Sequence, residues 1–151
     1  MYKYLSLFAI AFIIVSCGVN KDTTSKNLES QAIKINANKN LIETRTEGVL
    51  TDNEGFKDIG SFKYSVFYDA TTKDLSKIIN IEIIDKSITE SYYFADNKLF
   101  LIVSEAVQIP AKKIYVHNKK IISSESVEPE EQQLLLEKGI RFQKEFQNNY
   151  K

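Results

Sequence analysis

A chain of 151 residues with 20 basic and 20 acidic side chains is large enough for one domain with a single core. Its even charge argues against the broad basic face that a nucleic-acid binder needs. Eighteen of the cations are lysine and only Arg45 and Arg141 are arginine, which argues against a site that clamps phosphate in the bidentate geometry of a guanidinium.

Residues 1–20, MYKYLSLFAIAFIIVSCGVN, have the layout of a secretory signal. Lys3 supplies a positive start, Leu5 to Val15 form an apolar run broken only by Ser6, and small residues surround Cys17, the sole cysteine. The run is shorter than the roughly 20 apolar residues a membrane-spanning helix needs. A lone cysteine can also be a free thiol or half of an intermolecular disulfide, and the segment could be an uncleaved anchor helix; here charge, length, small residues and cysteine position agree on a processed signal. Ile14-Val15-Ser16-Cys17 resembles the lipobox of bacterial lipoproteins. That resemblance implies removal of residues 1–16, a diacylglycerol on the Cys17 thiol and an acylated new amino terminus. Several acyl chains would make the membrane anchor stable. Gly18 stands where the inner-membrane retention signal has Asp, so the resemblance implies the cell envelope, on the outer membrane, without choosing its periplasmic or surface face. The mature chain of 135 residues would then carry 19 basic and 20 acidic side chains and no cysteine for a disulfide. Its fold must rest on its core.

Residues 17–27 read as the lipidated cysteine and a polar tether, and 28–151 as a single domain. Leu28, Ala32 and Ile35, with Ile33 less regular, predict a helix from Leu28 to about Asn40, capped by Ser25 or Asn27. From Leu41 the period changes to two. Ile42, Thr44 and Thr46 alternate with Glu43, Arg45 and Glu47, and Asp52-Asn53-Glu54-Gly55 makes a turn. Alternation resumes over Ser61–Asp69, Lys77–Ile84, Ile88–Ala95 and Leu99–Glu105. Pro110 interrupts it, and a final pair is expected at Lys113–Val116 and Lys119–Ser123. The chain closes with a helix beginning at Pro129, with Glu130 and Glu131 at its positive end and an apolar stripe of Leu135, Gly139, Phe142 and Phe146. Gly139 costs about 1 kcal/mol in helix propensity, so its presence predicts a close approach of the helix backbone to the sheet. The fold class is therefore α+β: an antiparallel β-meander of about six or seven strands, with an N-terminal helix and a C-terminal amphipathic helix packed on one face.

Tyr92–Phe100 and Ile114–Ile122 repeat one pattern, an aromatic strand, a polar turn containing Asn-Lys, and an aliphatic strand. Asn tolerates the left-handed backbone of tight turns, so each copy reads as a hairpin. With its leading helix and closing acidic-then-amphipathic helix, residues 28–150 loosely resemble small uncharacterised exported β-meander proteins of Gram-negative bacteria, which carry segments such as YYF-x-N-G-K-L. Lys98 and Lys119 stand where that pattern has glycine. The resemblance implies no activity.

Catalytic chemistry is not indicated. His117, the only histidine, has no second histidine or free cysteine for zinc and no nucleophile pattern beside it, and reads as an exposed turn residue. Asp52, Glu54 and Asp58 surround Gly55 without the alternating spacing and closing glutamate of a calcium loop. Glu125, Glu128, Glu130 and Glu131 read as the approach to a helix. No metal or cofactor is expected apart from the lipid on Cys17. Tyr64, Tyr68, Tyr92, Tyr93 and Tyr115 fall on neighbouring strands. Half-buried cross-strand packing is their ordinary role; a tyrosine-bearing open sheet face would instead be the candidate surface for a protein partner. The expectation is a non-enzymatic, membrane-anchored interaction module, with a carrier or sensor of a small apolar ligand as the alternative. An exposed apolar patch would favour the first, a closed cavity of about 300 Å3 the second, and a cleft of converging carboxylates would favour an enzyme.

Overall fold

The computed structural model describes residues 21–150; the signal segment and Cys17 lie outside the described residues. The runs of period two form β1 (Ile42–Thr51), β2 (Asp58–Tyr68), β3 (Leu75–Ile83), β4 (Ser87–Ala95), β5 (Lys98–Ala106), β6 (Ile109–His117) and β7 (Lys120–Glu125). They build one seven-stranded antiparallel sheet in chain order, the expected meander. The repeated pattern is a pair of hairpins. Ala95 faces Lys98 and His117 faces Lys120, leaving two-residue loops whose central residues have positive φ: 49° and 57° at Asp96 and Asn97, 49° and 62° at Asn118 and Lys119. Two successive left-handed residues give the turn whose twist matches that of the strands it joins.

Pro110 does not interrupt β6, contrary to the sequence expectation. The pairing of β7 with β6 ends at Lys113 and Glu125, so Pro110 lies where β6 has a neighbour on one side only. A residue without an N–H is tolerated at such a border.

The two helices take opposite faces. α2 (Pro129–Tyr150) begins at the expected proline, and Leu135, Gly139, Phe142 and Phe146 are all buried. It packs on Tyr92, Phe94, Leu99, Ile102 and Ile114. It crosses the sheet obliquely, from Glu131, whose carboxylate lies 2.7 Å from Lys112 Nζ on β6, to Tyr150, whose hydroxyl lies 3.4 Å from Thr44 Oγ1 on β1. α1 (Lys21–Ala37) starts seven residues earlier than predicted, within the segment read as a tether. Its packing is carried by Leu28, Ala32 and Ile35; helix propagation gains one hydrogen bond per residue, so a docked second half can extend a polar first half that shows no periodicity. α1 lies on Tyr93, Phe100, Leu101 and Tyr115. The face opposite α2 is therefore not open over β4, β5 and β6.

Candidate functional site

The five tyrosines do not form one surface. Alternation along a strand sends neighbours to opposite faces, so Tyr92 meets α2 while Tyr93 meets α1. Tyr64 and Tyr92 pack on the Phe142 ring at 5.0 and 5.3 Å between centroids, and Tyr68 packs on Phe146 and Tyr150 at 5.6 and 4.9 Å. Tyr68, Tyr92, Tyr93 and Tyr115 are buried and Tyr64 is half-buried. They act as side chains of the two cores, one on each face, the ordinary role read from the sequence, and do not make up one exposed tyrosine face. Burial raises the pKa of Tyr64, Tyr92 and Tyr115, which keeps their phenols neutral.

Each face has a polar tie between helix and sheet. Beneath α2, Lys138 Nζ lies 2.7 Å from both Glu82 Oε1 and Glu90 Oε2. Asn80 Nδ2 donates to the same two oxygens at 2.8 and 3.2 Å, and the Tyr92 hydroxyl donates to Glu90 Oε2 at 2.9 Å. Two carboxylates do converge here. A lysine sits between them and bridges both. For Glu82 burial raises the pKa, but the hydrogen bonds from Lys138 and Asn80 outweigh it and the carboxyl is held low.

Beneath α1 the arrangement recurs. The Tyr115 hydroxyl lies 2.5 Å from Glu29 Oε1 and 2.8 Å from Glu125 Oε1, and Lys113 Nζ lies 2.7 Å from Glu29 Oε1. Hydrogen bonds from Lys113 and then Tyr115 hold the Glu29 carboxyl below its ordinary pKa. Asn36, further along α1, donates to the Tyr93 hydroxyl at 3.1 Å and accepts from Lys77 at 2.9 Å. His117 is exposed at the end of β6, 3.1 Å from Asn118 Nδ2. In the Asp52–Asp58 loop, Asp52 accepts hydrogen bonds from the loop's own backbone, the first from Phe56, which lower its pKa.

A surface that periodicity did not reveal lies at one end of the sheet. In a meander the β1–β2, β3–β4 and β5–β6 turns share an end, and these carry Phe56, Ile84 and Val107. Phe56 is 88% exposed, Val107 69% and Ile84 51%. Leu134 of α2 is 65% exposed at the same end, where it joins Ile88, Ile109 and Pro110 around a groove of about 170 Å3. The turns and strand ends at this end carry Asp52, Glu54, Asp58, Asp85 and Glu105 against Lys57 and Lys86, and the groove itself is lined by Glu90, Glu131 and Lys112. The only sequence signal was the presence of large apolar residues inside turns. The groove is open and falls short of the roughly 300 Å3 of a ligand cavity. Among the described residues no helix is long and apolar enough to cross a membrane. No known protein family, curated protein or solved structure matches the chain.

Proposed function

We propose that the protein is an envelope lipoprotein, anchored through Cys17, that works as a non-enzymatic interaction module and grips a protein partner with the apolar end of its sheet. The observation that carries this reading is the set of large apolar side chains standing in solvent at loop tips, led by Phe56 at 88% exposure. Contiguous water-exposed apolar groups are a recurrent mark of an association surface, and Leu134, Ile88, Ile109 and Pro110 adjoin one another around the groove. The acidic residues among them select for a partner segment that is apolar and bears lysine or arginine.

Two experiments test the two halves separately. Cys17→Ser should abolish incorporation of labelled fatty acid; a variant that is still labelled removes the anchor. A mild-detergent pull-down of the tagged, lipidated protein from its own envelope should recover a stoichiometric protein. That partner should be lost with Phe56→Ser, Val107→Ser and Leu134→Ser combined, at unchanged thermal stability. Recovery of no protein partner, or of one that the triple variant retains, overturns the proposed surface.

A further inference from the structure

Among the described residues β1 is a border strand, paired on one side only, with β2. The N–H and C=O groups of alternate residues along its outer side therefore have no strand beside them. Natural sheets blunt such borders with charged side chains, proline, bulges or very short strands. β1 is ten residues long and has no proline, and it pairs with β2 in unbroken register from Ile42 to Leu50, with a register shift only at its end, between Leu50 and Thr51; its charges, Glu43, Arg45 and Glu47, are of both signs.

The side chains of this border are complementary to themselves. In an antiparallel pairing of two identical strands about a two-fold axis at Thr46, Arg45 stands opposite Glu47 and Glu47 opposite Arg45. Ile42 meets Leu50 twice, and Glu43 meets Val49. Thr44 meets Gly48, over whose bare Cα the Phe62 ring of the same chain is packed. This register uses the whole unbulged stretch. Shifting the axis to Arg45 places Glu43 opposite Glu47, and shifting it to Glu47 places that carboxylate opposite itself, like charges that destabilise a cross-strand pair. An axis at Thr44 pairs Gly48, Val49 and Leu50 with residues that precede the strand.

We propose that β1 adds to the β1 of a second copy of this chain in the antiparallel register centred on Thr46, joining two seven-stranded sheets into one. This contact is separate from the apolar end of the sheet, so substitutions at Phe56, Val107 and Leu134 leave it intact.

The test uses the full-length chain in mild detergent with Cys17→Ser, so that an added cysteine is its sole thiol. Under mild oxidation Thr46→Cys should give a disulfide-linked dimer, because residues facing each other across the axis lie within disulfide reach. Glu43→Cys, far from its own copy in this register, should not. Light scattering at a protein concentration of roughly 0.1 mM should report a dimer for the unoxidised parent. Glu47→Arg, which sets arginine against arginine twice, should weaken association about tenfold. Arg45→Glu combined with Glu47→Arg should restore it. Circular dichroism should show the same fold in every variant. A monomeric parent, equal cross-linking at positions 43 and 46, or a dimer indifferent to Glu47→Arg overturns the proposal.

Discussion

The backbone of Gly139 lies against the Tyr92 ring, so closely that a Cβ at position 139 would fall 2.8 Å from Tyr92 Cδ1 and equally near Leu99 Cδ2. Tyr92 cannot easily retreat: it is fully buried, its ring abuts Phe142 edge-on, and its hydroxyl is tied to Glu90. Gly139→Ala should therefore destabilise the protein by about 1–3 kcal/mol through overpacking, against a gain of about 1 kcal/mol in helix propensity. Urea denaturation measures the net effect, and a stabilised variant would show that α2 can lift away from the sheet.

Phe142 sits where Tyr64 and Tyr92 converge. Phe142→Ala should cost about 3–5 kcal/mol. The same denaturation experiment reads it, and unchanged stability would mean that α2 does not dock.

Lys138 bridges Glu82 and Glu90. Lys138→Met strands Glu90, which is only 9% exposed, and should cost about 3–5 kcal/mol. Adding Glu90→Gln removes the uncompensated charge and should recover part of that loss, a coupling that a double-mutant cycle measures directly.

The ties beneath α1 predict a pH profile. Glu29 has a lowered pKa, so its contribution is present above the unfolded value of about 4.3 and is lost as pH falls through the lower folded value. Lys113 has a raised pKa, chiefly from its hydrogen bond to Glu29, so its contribution is present below about 10.4 and is lost as pH rises through the higher folded value. Thermal melts should hold a plateau between about pH 5 and pH 9 and fall on both sides. Glu29→Gln should shallow the acid limb; an unchanged limb would mean that other carboxylates account for it.

The meander and the closing helix were legible because both are written in periodicity: alternating residues in the strands, and Leu135, Gly139, Phe142 and Phe146 at helical spacing. Gly139 even announced the close approach that the structure contains. The first turns of α1 were not legible, since the polar run from Lys21 to Asn27 is helical only by continuation from the docked Leu28, Ala32 and Ile35. Nor was the fate of the tyrosines. Strand parity alone separates Tyr92 from Tyr93, but the burial of both follows from a helix on each face, and one-dimensional pattern does not say to which face a helix returns. The apolar end was hidden for a different reason: Phe56, Ile84 and Val107 belong to separate turns that only the folded meander brings to one end.

The oblique path of α2 separates the order of synthesis from the order of protection. β1 and β2 are among the first strands made, and hairpin neighbours can pair as soon as they exist, since their contacts are local. Yet Tyr68 is covered by Phe146 and Tyr150, at the far end of the chain. The strand ladder over β1 and β2 and the aromatic cover of its α2 face are thus separate layers: the pairing is local, whereas the cover on Tyr68 comes from the last turns of α2.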